Sequence, residues 1–215
     1  MHRGQKNEEG HMISNQIVTI SREYGSGGRI VGKELAKAMD VPYYDREILN
    51  KVAEESGFSR ELMEEDERKA GNGFFYNLSM AFGSGSSGDY TSINEKFFLA
   101  QFDYVQKMAK EEKSFVIVGR CADYILREFN NVTNVYIYGD TEDKIKRAVE
   151  KYGQTEEEAE EIMKSADKAR ANYYHYHTGR KWGDPHNYNL CIGSGRVREE
   201  KIANIILEYI ENREA

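Results

Sequence analysis

Nowhere does this 215-residue sequence run apolar for the roughly 20 residues that a membrane-spanning helix needs, so no membrane partner is expected. The opening residues, MHRGQKNEEGHM, lack the apolar middle of a secretory signal, and residues 1–13 are set aside as a disordered leader or a cloning remnant. Cysteine is scarce. Cys121 and Cys191 stand far apart in no metal-ligand pattern, which points to a reduced, cytoplasmic protein. Positive charge is in deficit too: a net charge of −7 argues against nucleic acid as a partner, which calls for a basic face. A small anionic ligand stays compatible, because a local basic site can sit within an acidic protein. No repeat of fixed period appears.

What is present is an alternation. Gln16–Ser21 (QIVTIS) is an apolar strand, and Gly28–Asp40 has a helix's spacing at Ile30, Val31, Leu35, Ala36 and Met39. VPYYD is a short extended link, since Pro42 turns Val41 away from helix, and Asp45 then caps a helix that stops at Gly57. A charged helical piece, Ser59–Arg68, precedes a flexible insert over residues 71–91, rich in Gly, Ser and aromatics. Helices are predicted over Ser92–Glu111, Ala122–Phe129, Thr141–Tyr152 and Arg198–Asn212. A capping box, Thr155 with Glu158, starts another that reaches about Tyr173. SFVIVG, NVYIYG and YNLCIGS complete the strands, and the Tyr/His/Trp-rich segment after Tyr173 is expected to be irregular. Strands apolar throughout, separated by helices, predict an α/β fold: a central parallel sheet with helices on both faces, in one domain over 14–215. Ligands of such sheets bind beyond the carboxyl ends of the strands.

The stretch SREYGSGGR, Ser21–Arg29, lies at such an end. Gly25, Ser26, Gly27 and Gly28 let the backbone approach a ligand, and amides at the following helix start make an anion nest. Against the phosphate-loop pattern GxxxxGK[ST], Arg22 stands at the first glycine and Gly27 at the second. Gly28 stands at the lysine and Arg29 at the magnesium-binding hydroxyl. Either Arg22 or Arg29 is a candidate for the missing positive charge, since guanidinium grips phosphate in a bidentate way.

Three separated blocks, VTISREYGSGGRIVGKELAKAMDVPYYDREIL, FVIVGRCADYIL and DKARANYYHYHTGRKWGD, together resemble the cytidylate kinase-like family from about Asn15 to Ile210. These are relatives of bacterial cytidylate kinase among the P-loop nucleoside monophosphate kinases. The resemblance implies a three-layer P-loop kinase fold with a helical lid at about residues 164–188. It implies ATP with Mg²⁺, small nucleotides as partners, and a monomer or homodimer. Asp45 matches the aspartate at the mouth of the acceptor site, where it holds Mg²⁺ through water or orients the acceptor. It also reads as a helix cap, and the two roles are compatible. Lys51 falls where those kinases place a basic residue for the monophosphate. Arg120 would meet the acceptor phosphate; the aspartate that follows it in the family is Cys121 here, and Asp123 is the candidate to compensate. Arg170 matches the lid arginine that neutralises the transferring group. The usual second one is missing, which leaves Arg180 and Lys181 as candidates to fold back. His175 and His177 lack a third ligand, so no protein metal cage is expected.

The function this implies is transfer of the ATP γ-phosphoryl group to CMP, dCMP or a similar phosphorylated acceptor. Two alternatives stand beside it: a kinase for another small acceptor, motivated by Cys121 and the aromatic insert Gly71–Tyr90, and a nucleotide-binding module without turnover, motivated by the broken phosphate-loop pattern.

Overall fold

Period-two alternation decides which face of the sheet each strand residue serves. In β1 (Ile17–Arg22), Val18 and Ile20 face one side and Ile17 the other; in β3 (Phe115–Val118), Val116 and Val118 oppose Phe115 and Ile117. Both faces are covered, so all six residues of β1 are buried and no polar face is left to show in its sequence. The computed structural model describes residues 15–56 and 88–213. The expected leader, the stop at Gly57, the charged piece 59–68 and the insert as far as residue 87 lie outside these.

The elements follow in the order β1, α1 (Gly28–Met39), β2 (Tyr43–Tyr44), α2 (Glu47–Ser56), α3 (Gly88–Glu111), β3 and α4 (Ala122–Ile125). Then come β4 (Val132–Tyr138), α5 (Thr141–Tyr152), α6 (Glu156–Thr178), a 3₁₀ turn at Pro185–Asn187, β5 (Leu190–Gly193) and α7 (Glu199–Glu211). All pairings are parallel, in the order β2-β3-β1-β4-β5. One apolar core packs α1 and α7 on the sheet through Val31, Leu35, Ile202 and Ile206. The other packs α2, α3 and α4 through Ile48, Val105, Met108 and Ile125. β1 is central, with β3 on one side and β4 on the other, so the chain changes direction across its carboxyl end. That is the position at which open α/β sheets form a ligand crevice. Among the described residues no helix is long and apolar enough to cross a membrane.

Several boundaries differ from the sequence reading. Helix α3 starts at Gly88 rather than Ser92, so the end of the expected insert is already helical. Helix α4 is one turn long instead of reaching Phe129. Helix α6 runs to Thr178, taking in the first part of the segment expected to be irregular, because its Tyr173 and Tyr174 are buried; residues 179–184 are non-helical. The predicted Thr155/Glu158 capping box is present, and Gly153 and Gly179 close their helices in the left-handed conformation.

Candidate active site

The loop after β1 turns on glycines at positive φ, Gly25 at 72° and Gly27 at 79°, and Gly27 is the N-cap of α1. The first-turn amides of a helix have no partners within it, so Gly28 and Arg29 start α1 with donors directed at the loop. The outer side of the loop is braced by other elements. The Glu23 carboxylate accepts from Lys144 Nζ at 2.9 Å and from the Gly139 N–H at 3.1 Å. Arg147 donates to the Gly25 carbonyl at 2.9 Å and pairs with Glu199 at 3.1 Å. Ser26 Oγ donates to the Glu23 carbonyl at 2.9 Å, so this hydroxyl holds the turn closed.

Four arginines converge beside this loop. Arg22 ends β1 and is 6% exposed; Arg120 follows β3 and is 7% exposed. Arg170, on α6, donates to the Arg22 carbonyl at 3.4 Å and to Asp167 at 2.7 Å. Arg29, in the first turn of α1, meets Asp45 at 2.8 Å. That contact lacks hydrogen-bond alignment, and the buried Asp45 Oδ1 has no hydrogen-bond partner among the described residues. Burial pushes the Arg120 guanidinium down to about 10, opposed by Tyr173 and Asp45. Burial also lowers Arg22, which Arg170 depresses further, and it lowers Arg170, where Asp167 opposes it and Arg29 and Arg46 add to it. A group of cations that disfavour one another's charge is stabilised by a nearby anion.

The turn after β3 has three successive residues at positive φ: Gly119 at 77°, Arg120 at 65° and Cys121 at 53°. Gln101 Nε2, fully buried on α3, donates to the Arg120 carbonyl at 3.0 Å and pins it. Cys121 packs with Phe98, Tyr173 and Tyr174, and burial raises its thiol pKa, so it is no nucleophile.

Of the residues singled out in the sequence, Arg22, Gly25–Arg29, Asp45, Arg120 and Arg170 come together. The others do not. Lys51 lies 5.0 Å over the Tyr44 ring. Asp123 is buried and accepts from Tyr174 Oη at 2.6 Å; burial raises its pKa despite that bond. The Arg180 guanidinium lies 5.3 Å over the Tyr124 ring, and Lys181 is exposed. His175 is exposed, while His177 stacks on Phe98 at 3.9 Å, and no metal-holding group of three occurs among the described residues.

Sequence reasoning missed Asp167. Its carboxylate accepts from the Tyr24 N–H at 2.8 Å as well as from Arg170, linking the loop to α6. The i,i+3 spacing of Asp167 and Arg170 on one helix face was the available signal. Glu23, Lys144 and Arg147 carried none, since their pairing is made through space.

A parallel sheet of this order, a glycine-rich loop at its switch point and converging arginines define a P-loop kinase fold. The sequence profile of the cytidylate kinase-like family matches residues 17–196, and the chain belongs to that family. Among solved structures it is similar to an uncharacterized protein from Eubacterium ventriosum ATCC 27560. They share 33% identity and a TM-score of 0.70, covering 92% of this chain and 99% of that one. Shikimate kinase from Bacteroides thetaiotaomicron (15% identity, TM-score 0.51, 91% and 98% covered) shares the fold. So does a sugar kinase from Janibacter sp. HTCC2649 (14%, 0.53, 91% and 94%). No curated protein matches the sequence.

Proposed function

We propose that this chain is an ATP-dependent nucleoside monophosphate kinase acting on CMP, dCMP or a similar phosphorylated acceptor. One observation carries the reading: Arg22, Arg29, Arg120 and Arg170 arrive from four different elements at the loop, with Asp45 beside Arg29 and Asp167 beside Arg170. Two phosphorylated substrates would bring negative charge to this group of cations.

The residues fit the substrates unevenly. The Gly25–Arg29 backbone suits the ATP phosphates, while Arg29 stands where a magnesium-binding hydroxyl is usual. Asp45 Oδ1, buried without a hydrogen-bond partner, suits a water of magnesium or a donor on the acceptor. When bound, magnesium neutralises phosphate charge. In the reaction an acceptor phosphate oxygen bonds to the γ-phosphorus, the bond from that phosphorus to the β–γ bridging oxygen breaks, and ADP leaves. Arg120 holds the acceptor phosphate, Arg170 stabilises charge on the transferring group, and Asp45 orients the acceptor against Arg29. The chemistry is alignment with charge neutralisation, without a covalent enzyme intermediate. Residues 164–188 act as the lid that excludes water.

A different acceptor is the second reading, on a specific observation. Cys121 replaces the family's acceptor-side aspartate, and Asp123 is spent on Tyr174. A coupled ADP-release assay over nucleoside monophosphates and other small acceptors, beside a thermal-shift panel, separates these. ADP formed with CMP or dCMP supports the main reading, and ADP formed only with another acceptor supports the second. Stabilisation by ATP with no ADP from any acceptor would make the protein a binding module.

A further inference from the structure

The phosphate-loop lysine has no substitute at its own position, because another side chain already fills its space. A Cβ built on Gly28 would lie 2.5 Å from Arg22 Cβ and 2.9 Å from its Cγ. Real Cβ atoms essentially never come so close, so positions 22 and 28 cannot both carry a side chain unless something shifts. In GxxxxGK the first of these two positions is glycine and the other lysine; here the first is arginine and the other glycine. The two residues have exchanged the side chain.

The Arg22 side chain continues from there toward β3. A Cβ on Gly119 would come 2.7 Å from Arg22 Nη1, so Gly119 also leaves room for the guanidinium. Arg22 is 94% buried by residue surface, yet among the described residues its guanidinium makes no hydrogen bond or ion pair. Asp45 acts on it only at a distance, and Arg170, Arg29 and Arg120 oppose it. An arginine does not shed its proton inside a protein, and a buried cation without a partner is costly. Arg29 differs: it is more exposed and already meets Asp45. Between the two candidates the geometry therefore decides.

We infer that Arg22 is the phosphate-gripping cation of this site, taking over the work of the loop lysine from the opposite end of the motif. This deepens the kinase reading and rests on it for the identity of the phosphate, though not for the presence of an anion site. Two parallel N–H donors replace a point charge, and the strand rather than the helix delivers them.

The test uses inorganic tripolyphosphate in calorimetry and melting, alongside ADP release, on the full chain. Arg22→Met should bind tripolyphosphate at least about 10-fold more weakly and lower kcat/KM by about 10²–10³-fold, the range for losing one preorganised donor. Its unliganded Tm should hold or rise, because the change removes a buried charge that has no ion-pair partner among the described residues; a merely structural arginine would lower it. The combined variant Arg22→Gly, Gly28→Lys rebuilds the ordinary pattern and should recover tripolyphosphate binding, whereas Gly28→Lys alone should not. Tripolyphosphate binding within about 2-fold of wild type in Arg22→Met, with turnover intact, overturns the inference and leaves the kinase reading standing. A drop in the unliganded Tm of Arg22→Met, with no recovery in the combined variant, also overturns it. Binding lost in Arg22→Met while the wild type forms no ADP from any acceptor upholds the anion site and removes the kinase reading. No tripolyphosphate binding by the wild type overturns both.

Discussion

The turns after β1 and β3 leave neighbouring strands side by side, and each delivers an arginine to the same place, yet they are built in opposite ways. After β1 the left-handed conformation falls on glycines, and the braces are charges: Glu23 with Lys144, Arg147 with Glu199, and Asp167 on the Tyr24 amide. After β3 it falls on Gly119, Arg120 and Cys121 in succession. Each non-glycine residue there costs about 1–2 kcal/mol, and the offset is aromatic packing with two buried hydrogen bonds, Gln101 to Arg120 and Tyr174 to Asp123. A turn that must only open toward a ligand can be made of glycine. A turn that must aim a particular side chain keeps that side chain and holds the strain through its neighbours.

The comparison can be broken first at Gly28. Gly28→Ala should cost about 2–3 kcal/mol in urea unfolding, the scale of overpacking, and much less in an Arg22→Gly background. Additive effects in that cycle would show that the two positions do not compete for space. Next in size is Tyr174→Phe, which removes the side-chain donor to the buried Asp123 carboxylate and should cost about 1–3 kcal/mol in the same assay. An unchanged midpoint would mean that the β3 turn does not depend on this anchor.

A pH series sharpens the contrast. Burial holds His177 down to about 4, against an ordinary value near 6.5. The unfolded chain therefore binds the extra proton first, and stability should fall as pH drops from about 6.5 to about 4. Thermal melts of His177→Phe should lose less over that window than wild type; equal losses would remove His177 from the packing around the β3 turn. Smallest is Cys121→Gly, which relieves a left-handed residue and gives up a buried thiol. The two should offset to within about 1 kcal/mol; a larger loss would mean that the strain at 121 is negligible.

Most of the fold was legible because a sheet covered on both faces writes its strands as apolar runs, as IVTI and FVIV show. The helix ends were legible at Thr155, Glu158 and Gly153 but not at Asp45, whose carboxylate meets Arg29 instead of capping α2, which starts at Glu47. The continuation of α6 through YYHYHT was hidden, since Tyr and His are poor helix signals and tertiary burial of Tyr173 and Tyr174 decides the outcome. Asp123 looked like a free carboxylate beside Arg120, but Tyr174, 51 residues away, occupies it.

Local order alone determined the strand, the glycine turn and the helix start that make the corner we assign to phosphate, because each depends on neighbouring φ/ψ preferences. The choice between Arg22 and Arg29 belonged to tertiary structure. Steric exclusion between positions 22 and 28, and the lack of an ion-paired carboxylate on Arg22 among the described residues, exist only once β1, α1 and β3 are packed together.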